Sequence, residues 1–324
     1  MSIKTKNLQS EFKIPVLVIF APTASGKTAL TRELFSQKGS HFILNGEIIS
    51  ADSQAVYRGM NIGTAKPDDL FCKEISHHLI NILNPDQQFN VSDFVDAADL
   101  ACNDIFSRGK IPVVVGGTGF YIRNFLYGVA PTPISDDKLR AKLKERISKE
   151  GNLALYKELQ KIDPKSAEKI HPNDSYRICR ALEVFYLCGK PRSEFKVENH
   201  FRSKYDFLFI VLQPPRDILY NRIRERVDYM FEAGLENEVN NLLKAGYTKD
   251  TPGMKAIGYS EWFEFENKNE VSEAIKHHSC KYAKKQYTYI RDIPGSIVID
   301  YSGSEADLDR IALLIKNWLQ KYND

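Results

Sequence analysis

The chain predicts an α/β fold: a mostly parallel sheet flanked by helices, with a small all-helical domain inserted into it. Three observations lead there. Short apolar runs suited to buried strands recur at Val16–Phe20, Ile48–Ser50, Ile111–Val115, Phe207–Leu212 and Ile297–Ile299. Helical patterns separate most of these runs, and that alternation calls for crossovers and hence parallel pairing. From about Ile134 to Tyr205 the rhythm gives way to consecutive helices with no strand-like run.

The first run feeds directly into APTASGKT, residues 21–28. A strand followed by a tight loop ending in Gly-Lys-Thr is the layout of a phosphate-binding P-loop. Small residues let backbone N–H groups converge on an anion, and the next helix, with Ala29, Leu30, Leu34 and Phe35 as its apolar stripe, adds its positive end. Lys27 brings a point charge to phosphate oxygens, and the Thr28 hydroxyl is a candidate Mg²⁺ ligand. Ala21 stands where such loops usually have glycine, so the loop has to work without a left-handed residue there.

The second run leads into ISADSQAVYRGMNIGTAKP, residues 49–67, whose polar groups then sit at the carboxyl end of a strand, where open α/β sheets bind ligands. Asp52 is there a metal ligand, a general base or a helix cap. The next helix is expected at Ser92–Arg108, capped by Ser92 and stopped by Gly109. After the third strand, Gly116-Gly117-Thr118-Gly119 makes a third polar loop on the same edge. Pro131 and Pro133 mark a hinge, followed by helices over Asp136–Glu150, Leu153–Ile162, Ser166–Ile170 and Asp174–Cys188. This divides the chain into an α/β core, 1–133 with 206–324, and a helical insertion, 134–205.

A helix starting near Pro215 carries Arg216, Arg222, Arg224 and Arg226, with Ile223, Val227, Met230 and Phe231 as its buried stripe. Residues 276–291, KHHSCKYAKKQYTYIR, carry no acid; Lys281, Lys284, Lys285, Thr288 and Arg291 form one basic face beside tyrosines, a pattern suited to phosphate contact and base stacking or to a plain solvated face. Tyr176, Arg177 and Arg180 form a third basic set in the insertion. The net charge of +3 does not by itself argue for nucleic acid. Five scattered cysteines without a CxxC pair give no zinc site and suit a reducing compartment. The absence of a signal-like stretch or a long apolar run points to a cytoplasmic protein with no membrane partner.

The motifs together resemble the bacterial tRNA dimethylallyltransferase (tRNA isopentenyltransferase) family over nearly the whole chain. They are PTASGKT (22–28), SADSQAVYRGMNIGTAKP (50–67), VVVGGTGFYI (113–122), HPNDSYRICRALEVF (171–185), AGLENEV (233–239), AIGY (256–259) and KKQYTYIR (284–291). The resemblance implies a P-loop NTPase-like core, related to P-loop kinases, and an enzyme working as a monomer. It implies transfer of the dimethylallyl group from dimethylallyl diphosphate to the exocyclic amino nitrogen of the adenosine 3′ of the anticodon, assisted by Mg²⁺ held at Thr28. On it, Thr23, Ala24, Ser25, Gly26, Lys27, Thr28 and Arg222 bind diphosphate. Arg226 stabilises the leaving group, Asp52 is the base and Thr118 bonds the adenine or the backbone beside it. The tRNA anticodon arm is met by Asp52, Ser53, Gln54, Ala55, Lys255, Gly258, Tyr259, Lys284, Lys285 and Arg291, and by Arg177 and Arg180 of the insertion. Ser260 departs from the basic residue common after the IGY motif, and Ala21 from the usual Gly. A small-molecule kinase shares the P-loop but has no use for the basic C-terminal helix. A non-catalytic RNA-binding protein leaves Lys27, Thr28 and Asp52 without a role.

Overall fold

A computed structural model describes residues 13–43, 45–290 and 293–322. Among these residues one parallel sheet has the order β3-β2-β4-β1-β5-β6. Its strands are β1 Ile14–Phe20, β2 Gly46–Ser50, β3 His77–His78, β4 Ile111–Gly116, β5 Tyr205–Gln213 and β6 Ser296–Asp300. All five expected strands are present. β3 was not foreseen, because two histidines carry no apolar run; it pairs through Ile48 and Ile49, and His78 Nε2 bonds the buried Glu47 carboxylate at 2.8 Å. Arg108 and Lys110 also pair with Glu47, which holds that carboxyl well below its ordinary range.

Helices α1 Lys27–Phe35, α2 Asp69–Glu74, α3 Val91–Ser107 and α4 Gly119–Tyr127 belong to the first half. α5 Asp137–Glu150, α6 Asn152–Ile162, α7 Pro164–Ala167 and α8 Ser175–Cys188 make the insertion. α9 Arg216–Glu232, α10 Leu235–Lys244, α11 Lys268–Ile290 and α12 Glu305–Gln320 follow. Asn90, not Ser92, caps α3: its side chain accepts from the Ser92 and Asp93 amides, while the Asp93 carboxylate returns to the Asn90 amide at 2.8 Å. An Asx residue with an acid three positions on outcompetes a serine already inside the turn. α7 starts earlier than read, because Asp163 caps it and Pro164 suits the first helical position.

The chain forms two compact units, Met1–Leu126 with Phe201–Asp324, and Tyr127–His200. The bounds 134 and 205 expected for the insertion therefore both shift towards the N-terminus. At the return the reason is Arg202, whose guanidinium bonds both oxygens of Asp99 at 2.8 and 2.9 Å and the Phe125 carbonyl at 2.7 Å. That fastens residues ahead of β5 to the core unit.

Within the core unit, Leu17, Ile19, Leu30, Leu34, Ile210, Leu212, Ile311 and Ile315 form one buried cluster, which packs α1 and α12 on the sheet. A second joins Val56, Tyr57 and Met60 to α9, α10, α11 and the segment Met254–Tyr259. The helical unit has its own core, with Leu143, Leu155, Leu159, Ile178 and Leu182. No helix among the described residues is long and apolar enough to cross a membrane.

Candidate active site

Register brings three loops together. β1 lies between β4 and β5, with Phe20 opposite Gly116, and Ser50 of β2 lies opposite Val115 of β4. The segments following Phe20, Ser50 and Gly116 therefore leave the sheet side by side at its carboxyl edge. A cavity of about 700 Å³ opens there, lined by Thr23–Thr28, Asp52–Ala55, Gly63–Lys66, Gly116, Gly117 and parts of α9 and α11.

The phosphate loop has its expected shape with one correction. The left-handed residues are Ala24 at φ 59° and Gly26 at φ 85°, not residue 21. Ala21 is fully buried in the sheet core and donates to the Gly116 carbonyl at 3.3 Å, so the missing glycine costs the loop nothing. Ala24 is where a Cβ is strained, and its methyl packs against the Leu219, Ile223 and Ala283 cluster in return. The Ser25 hydroxyl is buried without a hydrogen-bond partner. A buried hydroxyl in a loop of converging amides is explained by an oxygen-rich ligand.

Lys27 Nζ folds back onto the Ala21 and Pro22 carbonyls at 2.8 and 2.6 Å. Burial, reinforced by the neighbouring Arg226 charge and partly offset by Asp52, lowers its pKa to about 7. Arg226 reaches in from α9 and donates to Thr23 Oγ1 at 3.0 Å and to the Ala65 carbonyl at 3.4 Å. Burial lowers its pKa also, against the opposing pull of Asp52. Both groups line the cavity and the Arg226 charge helps to depress the Lys27 pKa, so an anion placed between them favours the charged form of each.

Asp52 Oδ1 accepts from the Gln54 and Ala55 amides at 2.8 and 3.3 Å. The helix cap weighed from sequence is not found, since no helix follows Asp52 directly; one of its oxygens closes a turn instead, and the residue lines the cavity. Thr118 Oγ1 accepts from the Ser53 amide at 3.1 Å and pairs with Tyr282, so it braces the backbone beside Asp52. The lining also has an apolar part: Val227 and Met230, which follow Arg226 on α9, with Ile257 and Ile275.

Several expected contacts are relocated. Arg222 does not line the cavity; its guanidinium donates to the Ser302 carbonyl at 3.0 Å. Tyr259 is fully buried, and Gly258, at φ 99°, packs on the Gly63 backbone, so neither is presented at the surface. Both belong to a clasp. Glu238 of α10 accepts from the Asn61, Ile62 and Gly63 amides at 2.7 to 3.1 Å and from the Tyr259 hydroxyl at 2.6 Å, which fixes the loop carrying Thr64–Lys66 at the cavity mouth. Tyr259→Phe is therefore expected to lower stability by roughly 1.5–3 kcal/mol, the range for a hydrogen bond to a charged group. Denaturant melts read the loss; unaltered stability with weakened tRNA binding would restore Tyr259 to the RNA surface.

Arg180 is similarly committed within the helical unit, bonded to the fully buried Glu183 at 2.6 Å and to the Thr132 hydroxyl and Pro133 carbonyl. Arg177 is exposed and pairs with Asp174 at 3.4 Å. Ala55 is 4% exposed, whereas Ser53 and Gln54 are part-exposed and Lys255 is exposed at the cavity lining. Lys284 and Lys285 stand exposed on α11, and Arg291 lies outside the described residues. Glu238, Gln286 and Tyr282 were missed, although all three lie in or beside segments the sequence singled out. No spacing rule distinguishes a buried amide in KKQYTYIR from its solvated neighbours.

Residues 55–293 match the family model described as IPP transferase. A protein of Geobacter sulfurreducens named tRNA dimethylallyltransferase is 41% identical over 310 residues, which is 94% of this chain and 98% of that protein. Among solved structures, the full-length tRNA isopentenylpyrophosphate transferase of Bacillus halodurans is similar at 35% identity and a TM-score of 0.66, covering 96% of this chain and 97% of that one. A eukaryotic dimethylallyltransferase acting on tRNA is similar at 30% identity and a TM-score of 0.81, covering 96% and 80%.

Proposed function

The chain belongs to the IPP transferase family, and we propose that it moves the dimethylallyl group of dimethylallyl diphosphate onto the exocyclic amino nitrogen of the adenosine 3′ of a tRNA anticodon. One observation carries the reading: a single cavity combines Lys27 and Arg226, the Asp52 carboxylate and an apolar wall of Val227, Met230, Ile257 and Ile275. A phosphate loop alone suits many reactions. An apolar wall beside it suits a diphosphate esterified to a short hydrocarbon, and a carboxylate facing both suits an acceptor that loses a proton.

The chemistry follows from these groups. The amine lone pair forms a bond to the allylic carbon while the C–O pair leaves with pyrophosphate. Lys27, Arg226 and the loop amides offset the charge that develops on the leaving oxygens. Asp52, held by the Gln54 and Ala55 amides, accepts the proton released by the amine. The apolar wall keeps water from the electron-poor prenyl carbon. Mg²⁺ fits as an ion brought with the diphosphate: among the described residues there is no cluster of three acidic, His or Cys side chains, but the exposed Thr28 hydroxyl opens α1 next to the loop. Held by Thr28 and phosphate oxygens, it would add Lewis-acid neutralisation of the leaving group.

The test is incubation of labelled dimethylallyl diphosphate, Mg²⁺ and unmodified tRNA, followed by nucleoside analysis. Label in a prenylated adenosine beside the anticodon is the expected result. ATP turnover with a small acceptor and no label in tRNA would replace this reading with a kinase. The exposed Lys284 and Lys285 are read as phosphate contacts of the RNA. Replacing both by alanine should flatten the dependence of log binding constant on log salt by up to roughly 0.7–0.9 per lost phosphate contact, with turnover recovering at saturating tRNA. A slope equal to that of the wild type would make them ordinary solvated lysines.

A further inference from the structure

α11 presents Lys284, Lys285 and Thr288 to solvent, yet between them Gln286 is only 5% exposed and turned into the fold. Both ends of its amide are used. Oε1 accepts from the Thr23 amide at 3.2 Å, and Nε2 donates to the Gly117 carbonyl at 2.6 Å. These partners lie on two different loops. Thr23 belongs to the phosphate loop, and its hydroxyl takes the Arg226 bond. Gly117 precedes Thr118, which braces the Ser53 amide next to Asp52. One side chain therefore spans from the Arg226–Thr23 pair to the Thr118–Ser53–Asp52 chain.

Packing agrees with that placement. A Cβ at residue 117 would lie 2.5 Å from Gln286 Nε2, so glycine there is what lets the amide approach the carbonyl. A methionine would fill much the same volume as this glutamine, and a buried amide is costly unless both its ends are satisfied. The chemistry of the side chain, rather than its bulk, is what links the two loops.

We propose that Gln286 is a positioning residue of the transfer, a strut whose bonds to Thr23 and Gly117 set the phosphate loop against the loop bracing Asp52, with Tyr282 bonded to both Gln286 and Thr118. The strut acts on the distance between leaving group and base, on which turnover depends steeply, since displacements near 1 Å cost about a hundredfold. The proposal rests on the donor and acceptor reading given above.

Two variants of the full chain test it. Gln286→Met keeps the packing and loses the bonds to Thr23 and Gly117 together with the one to Tyr282; kcat at saturating substrates should fall by about tenfold, with the KM for tRNA within about twofold because Lys284 and Lys285 remain. Gln286→Glu keeps the acceptor for Thr23 and donates to Gly117 only when protonated. Burial raises such a carboxyl, so kcat relative to wild type should climb at least about threefold as pH falls from about 8.5 to about 6. Melting temperatures are measured at each pH, and pyrophosphate inhibition of the wild type is measured alongside. Wild-type kcat in the Met variant, a flat pH ratio in the Glu variant, or turnover losses that merely follow melting losses would overturn the strut. Pyrophosphate failing to compete with the donor in the wild type would instead remove the parent reading, whatever the variants do.

Discussion

Asp52→Asn is expected to lower turnover by about two to four orders of magnitude, the usual span for losing a general base, while tRNA binding is largely kept. The substitution preserves shape and leaves an oxygen able to accept from the Gln54 and Ala55 amides, as Asp52 Oδ1 does. It therefore separates the two roles of this residue. If Asp52 only capped its turn, the asparagine would do the same work and turnover would stay near normal. If it takes the amine proton, the turn persists and the chemistry stops. Single-turnover rates at saturating donor and tRNA, with tRNA affinity measured in parallel, decide between them. Asp52 also supplies the negative charge that partly offsets the depressed pKa values of Lys27 and Arg226. The asparagine variant should consequently bind inorganic pyrophosphate at least as tightly as wild type.

Lys27→Ala is the second large effect, a fall in kcat/KM for the donor of about 10²–10³, as for removal of one donor to a developing oxyanion. Its pH dependence makes the assignment specific. Burial and the Arg226 charge lower the Lys27 pKa to about 7. A bound diphosphate raises it, so above pH 7 binding takes up a proton at this lysine. Affinity for pyrophosphate is then greatest below pH 7 and weakens as pH rises, by up to about tenfold per unit until the bound-state pKa is reached. Pyrophosphate's own titration is shared by both proteins, so the difference between wild type and Lys27→Ala reports the lysine. Calorimetry in two buffers of different ionisation enthalpy measures proton uptake directly. Equal uptake in the two proteins would mean that Lys27 does not meet the phosphate.

Much of the site was legible because it is built from contiguous strand-loop segments. APTASGKT, SADSQ and GGTG each follow a run of apolar residues, and a parallel sheet brings the ends of such runs to one edge. Arg226 was the harder assignment, one arginine among four on α9, and helical spacing placed Arg222 on the same face. The structure separates them: Arg226 points to Thr23, and Arg222, one turn earlier, ends at Ser302. A turn of helix displaces a side chain by about 5 Å along the axis, enough to leave a cavity that its neighbour enters.

The sequence by itself determined the α/β class, the five main strands, the helical insertion and the phosphate loop, since each rests on periodicity or on residues close in the chain. Tertiary structure alone decided which polar residues are spent on the fold. Tyr259 and Glu238 form the clasp on residues 61–63, Arg180 satisfies the buried Glu183, and Gln286 joins Thr23 to Gly117. In sequence these look like ligand-binding residues or like ordinary polar ones. Their partners lie on other elements, and whether a buried carboxylate or amide is satisfied within the protein depends on contacts that no local pattern encodes.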